Sequence, residues 1–117
     1  MKTIIAGGRD ITNYDYIEKA IAEIDWEPTV VVSGTARGAD LLGEEWAKKN
    51  NIPIERYPAE WDFYGKSAGY IRNKKMAKNA EALIALWDGE SRGTKHMIDI
   101  AEREGLVVSV YMVDQSK

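Results

Sequence analysis

The chain has 117 residues, 44% of them hydrophobic and 30% charged, with no cysteine and a formal net charge of −3. That length suits one compact domain with a real core, and the missing cysteines exclude a disulfide framework, thiolate chemistry and a Cys-ligated metal. The isoelectric point near 5.2 argues against broad electrostatic binding of nucleic acid, which wants a basic surface.

Met1-Lys2-Thr3-Ile4-Ile5-Ala6 is too short an apolar run for the core of a signal peptide, and no run approaches a membrane span. The expectation is a cytoplasmic protein with no membrane partner. Residues 3–6 read as a buried first strand, stopped by Gly7-Gly8. Thr12 or Asn13 caps a helix with Asp15 in its first turn, and Ile17, Ala20, Ile21 and Ile24 form its apolar stripe. Pro28 ends that unit. Residues 30–32, all valine, are apolar on both faces, as a central strand of a parallel sheet should be. A second helix follows over about 37–49, then a short third strand over 53–57. A polar-aromatic connection (58–66) leads to a third helix over 68–79 and a fourth strand over 82–87. A fourth helix ends near Glu104-Gly105, residues 106–112 are the last strand, and 114–117 look like a frayed tail.

Strands alternating with helices predict an α/β fold: a Rossmann-like three-layer sandwich around a five-stranded, mostly parallel sheet, in a single domain over 1–113. The expected order is 3-2-1-4-5. It puts a topological switch between the first and fourth strands, where ligands bind beyond the carboxyl ends.

Three glycine-bearing turns converge on that edge, and each carries an arginine. They are Gly7-Gly8-Arg9-Asp10, Ser33-Gly34-Thr35-Ala36-Arg37-Gly38-Ala39-Asp40 and Asp88-Gly89-Glu90-Ser91-Arg92-Gly93-Thr94. A strand, a small-residue turn and a helix start leave backbone N–H groups free for phosphate. Turns that only joined elements would have no use for repeated arginine. Arg72 and Asn73 share the inward face of the third helix with Met76 and Ala80, so Arg72 reads as a phosphate clamp or a charged catalytic group. No Gly-x-Gly-x-x-Gly follows the first strand and no P-loop lysine is present, which weakens dehydrogenase and NTPase readings. Trp61 and Tyr64 are candidates for a lid on a base. His96, the one histidine, reads as structural. No metal-ligand spacing and no cofactor motif occurs.

These blocks, with Ala68-Gly69-Tyr70-Ile71-Arg72-Asn73-Lys74-Lys75-Met76, resemble the SLOG superfamily, and most closely its small YspA-like, cpYpsA-related branch. The resemblance implies a SLOG-type domain that binds nucleotides or nucleotide-derived ligands such as ADP-ribose, NAD or nucleoside phosphates. It implies a sensor or processor of such molecules, with ties to phage–bacterium conflict. Carried onto this chain, the ligand set is Gly7, Gly8, Arg9, Asp10, Ser33, Gly34, Thr35, Arg37, Gly38, Asp40, Arg72, Asn73, Asp88, Gly89, Ser91, Arg92, Gly93 and Thr94.

The LONELY GUY phosphoribohydrolases are a more distant resemblance. Arg72 matches their third-helix arginine and Gly93-Thr94 the end of their Gly-Gly-x-Gly-Thr turn, but their glutamate position falls on Met97. Methionine neither activates water nor steadies an oxocarbenium ion. The resemblance thus implies an inherited phosphate cradle rather than that chemistry. The alternative function, hydrolysis of an N-glycosidic or phosphate bond, needs a substitute carboxylate from among Asp10, Asp40, Asp88 and Glu90, with Asp40, Asp88 and Arg72 as the catalytic candidates. A third class, a DNA-binding accessory, follows from the DNA-processing protein A family's place in the superfamily, and the acidic balance argues against it. Pairing of relatives through helices implies a homodimer, for which Trp46, Trp61 and Tyr70 offer apolar surface.

Overall fold

The structure, a computed structural model, describes residues 1–113; the expected frayed tail at 114–117 lies outside the described residues. Five strands, β1 (Lys2–Gly7), β2 (Val30–Ser33), β3 (Ile54–Arg56), β4 (Ala82–Trp87) and β5 (Val107–Met112), make one sheet. Its order is β3-β2-β1-β4-β5, and every neighbouring pair is parallel. Five helices connect them: α1 (Tyr14–Ala22), α2 (Ala39–Lys49), α3 (Trp61–Tyr64), α4 (Ala68–Lys78) and α5 (Arg92–Arg103).

The period-two alternation of the strands divides the core between two faces. Ile4, Val32, Leu83 and Ala85 pack with Met76 of α4 and with Met97, Ile98 and Ala101 of α5. Ile5, Val31, Ile84 and Leu86 pack on the opposite face with Ile17 and Ala20 of α1 and Leu42 and Ala47 of α2. The central strands β1 and β4 are therefore apolar on both sides, and the sheet is the middle of three layers. Trp46 is half-buried against the α1–α2 side of this core, so Trp61 and Tyr70 are the exposed aromatics among the three proposed for pairing.

Local chemistry sets the element ends. Of the two candidate caps Asn13 is the one used, its Oδ1 accepting from the Asp15 amide at 2.9 Å, and α1 ends before Ile24. Helix α2 starts at Ala39 rather than Arg37, because the turn runs on to Gly38 at φ +83°. β3 is shorter than the expected 53–57, although the ladder continues at both ends: Val31 N–H donates to Pro53 O and Tyr57 N–H to Ser33 O. The connection 58–66 is not plain loop, since it holds α3 and a 3₁₀ turn, Gly65–Ser67. Among the described residues no helix is long and apolar enough to cross a membrane.

Candidate functional site

At the carboxyl ends of β1 and β4, where the strand order reverses, a cleft of about 440 Å³ opens. That size is within the usual range for a small-molecule site. Its floor and walls include Gly7, Gly8, Arg9 and Asp10 after β1, Asp40 of α2, and Asp88, Ser91, Gly93 and Thr94 around the start of α5. Helix α4 presents Arg72 and Asn73 to it. A second cavity of about 480 Å³ adjoins it, lined by Arg9, Gly34, Thr35, Arg37 and Arg72 with Pro58 and Trp61. Fourteen of the eighteen expected ligand residues thus line one cavity or the other. Ser33, Gly38, Gly89 and Arg92 line neither.

Two of those four have structural work. Ser33 is buried; its hydroxyl donates to Glu44 Oε2 at 2.6 Å and accepts from the Thr35 amide. Glu44 is in turn held by Arg56, whose Nε and Nη2 each stand 3.0 Å from Oε1. Gly38 is packed against the neighbouring turn: a Cβ there would lie 2.4 Å from the carbonyl oxygens of both Gly8 and Arg9.

The turn after β2 differs from expectation in a way that matters for chemistry. Three of its amides are already bonded within the protein, while those of Gly34, Arg37 and Gly38 have no partner among the described residues. Thr35 N–H donates to Ser33 Oγ, Ala36 N–H to Asp40 Oδ2 at 3.1 Å, and Ala39 N–H to Gly8 O. Asp40, in the first turn of α2, is itself the anion at that helix N-terminus. The turn before α5 is braced in a similar manner, with the Arg92 and Gly93 amides unbonded among the described residues: Asp88 Oδ1 accepts from the amides of Glu90 and Ser91, and Ser91 Oγ from Thr94. Those two amide bonds hold the Asp88 carboxyl below its ordinary range. Arg9, Arg72 and Lys66 add side-chain positive charge to the cleft.

Arg72 is the most constrained of them. It is half-buried; Nε donates to Asn73 Oδ1 at 3.0 Å and Nη1 to the Gly34 carbonyl. Gly34 permits this approach, since a Cβ there would be 2.7 Å from both Arg72 Nη1 and Asp40 Oδ2. The Asn73 amide nitrogen lies 3.2 Å from His96 Nδ1, and the His96 ring meets Tyr70 edge to face at 4.3 Å. Burial lowers the His96 pKa. The neutral ring accepts at Nδ1 and keeps its proton on Nε2, which makes it a prop for the α4–α5 contact.

Asp40 is only 5% exposed. Burial pushes its pKa up to about 6, against the opposing Ala36 amide and the Arg72 charge. Residues outside the expected ligand set also line the cleft: Lys66 and Gly69 near the start of α4, and Met97 of α5. Lys66 stood in the connection with no periodicity to place it, and only the 3₁₀ turn brings it to the rim. Thr35 has φ +64°, an outlier for a β-branched residue, of the kind that clusters at ligand clamps.

Comparison with known proteins agrees with this architecture. The sequence model of the YspA, cpYpsA-related SLOG family matches residues 1–64, which include the first two motif turns. Over 116 residues the chain is 34% identical to the Gene 61 protein of Mycobacterium phage D29, covering 92% of this chain and 93% of that one. DNA processing protein A (DprA) from Streptococcus pneumoniae has the same fold, with a TM-score of 0.77 over 99% of this chain at 20% identity. This chain spans about half the length of that one, 52%. The expectation against nucleic acid rested on the acidic isoelectric point and the absence of a basic stripe, and the comparisons lend it no support. By motif, fold and full-length similarity to a relative, the chain belongs to the YspA, cpYpsA-related SLOG family.

Proposed function

We propose that the cleft binds a nucleotide or a nucleotide-derived ligand, of the ADP-ribose, NAD or nucleoside-phosphate kind, as a sensor or processor of it in the cytoplasm. The observation that carries this reading is Arg72. An arginine tethered by Asn73 and the Gly34 carbonyl, inside a cleft at the switch point, is pre-set for a phosphate or a ribose hydroxyl. Trp61 and Tyr70 at the same cleft are surfaces for a base. Membership of the SLOG family and the likeness to a phage protein support a setting in phage–bacterium conflict. The test is thermal shift with AMP, ADP-ribose, NAD and inorganic phosphate, with Arg72→Ala alongside. A ligand at a hundred times its Kd adds about 2.7 kcal/mol to stability. Wild type should shift with at least one nucleotide and the variant should not; equal shifts in both would count against the site.

One observation favours hydrolysis as a second reading. Asp40 is a carboxyl in the cleft with a pKa near 6, suited to holding or passing a proton at neutral pH. Mass spectrometry of each stabilising ligand after incubation separates the readings: a sensor returns it unchanged, and a hydrolase splits it in wild type but not in Asp40→Asn.

A further inference from the structure

The two adjoining cavities differ in charge. The main cleft sets Arg9, Arg72 and Lys66 against three carboxylates, Asp10, Asp40 and Asp88. The second cavity is lined by Arg9, Arg37 and Arg72 and by no acidic residue. Among the described residues neither Arg9 nor Arg37 has a carboxylate within ion-pair distance. Burial lowers the Arg72 pKa against the opposing Asp40 charge, and Arg9 adds a smaller like-charge push in the same direction as burial.

Resting on the nucleotide reading above, we infer that the ligand lies with its terminal phosphate in the Arg9–Arg37–Arg72 cavity and its nucleoside in the main cleft. An anion there relieves the repulsion between arginines and has no carboxylate in its lining, the neighbouring Asp40 being turned to the Ala36 amide. The same anion beside Asp88 and Ser91 lies against a carboxylate of the lining and two amides already bonded to it. The carboxylates of the main cleft suit the other half of the ligand. Asp10 and Asp88 accept hydrogen bonds from ribose hydroxyls, and Trp61, which borders both cavities, spans the junction. The ligand class is then an open-chain nucleotide with a free terminal phosphate. Arg37 reads that phosphate: it lines the second cavity alone.

Titration calorimetry with adenosine, guanosine, cytidine and uridine and their 5′-monophosphates tests this, on wild type, Arg37→Ala and Thr94→Val. Arg37 is exposed, so its variant should melt with wild type. For the bound base the monophosphate should bind about tenfold tighter than the nucleoside, the scale of one charge-assisted contact. Arg37→Ala should remove that gain and leave nucleoside affinity unchanged. If Thr94→Val removes the gain and Arg37→Ala does not, the phosphate lies at the α5 turn and the placement is overturned while the nucleotide reading stands. If no nucleoside or nucleotide binds, both are lost.

Discussion

Asp40 concentrates the site's electrostatics in one carboxyl. Its ordinary pKa of 3.8 rises to about 6 on folding, so the folded chain holds this proton more tightly than the unfolded one. The resulting stabilisation is complete below about pH 4 and is lost as pH climbs through 6. A separation of about two pH units is worth roughly 3 kcal/mol. Asp40→Asn keeps an acceptor for the Ala36 amide and has nothing to titrate. Urea unfolding at pH 4, 5, 6 and 7 should show wild type losing stability relative to the variant across that window; parallel curves would mean the buried carboxyl does not titrate as described. Arg72 was legible in the sequence, because it shares a helical face with Met76, whose side chain is core. Asp40 as the turn's own anion was less so. The signal was an acidic residue in a helix first turn, and its partner, the Ala36 amide, is four residues earlier in a turn of unpredictable shape.

At the scale of elements, two positions separate ordinary helix chemistry from packing that the site depends on. Asn13→Ala removes a side-chain cap remote from the cleft and should cost about 1 kcal/mol with ligand response unchanged. Gly38→Ala should cost more, about 3 kcal/mol, because φ +83° disfavours any side chain and the new Cβ meets two carbonyl oxygens at 2.4 Å. It should also weaken ligand binding, since those carbonyls belong to the Gly8-Arg9 turn. Chemical denaturation gives the first pair of numbers and thermal shift the second. A Gly38→Ala protein with wild-type stability would show that the two turns are not in close register.

The whole molecule is a sheet whose stability is graded from centre to edge. β1 and β4 are buried on both faces, whereas β3 has three residues, none buried, and residues 60–67 are exposed throughout. Amide exchange should therefore be slowest in β1 and β4, near the global unfolding limit, and fastest in 58–67. A ligand seated between Arg37 and Trp61 should slow exchange in 58–67 selectively. Uniform protection of the connection without ligand would contradict this grading.

The strand–helix alternation, the order 3-2-1-4-5 and the three converging turns followed from the sequence by itself, because periodicity, glycine and β-branched runs are local and the right-handed crossover rule turns them into topology. Whether a turn's amides are free, where Lys66 points, and that two cavities of different charge share Arg9 and Arg72 were decided by tertiary structure alone. The cavities depend on groups far apart in the chain, such as Arg72 on the Gly34 carbonyl 38 residues away, whose separation is set by packing. The turn amides are met mostly from two to four residues away, but by turns whose shape, with Thr35 and Gly38 at positive φ, the surrounding packing holds.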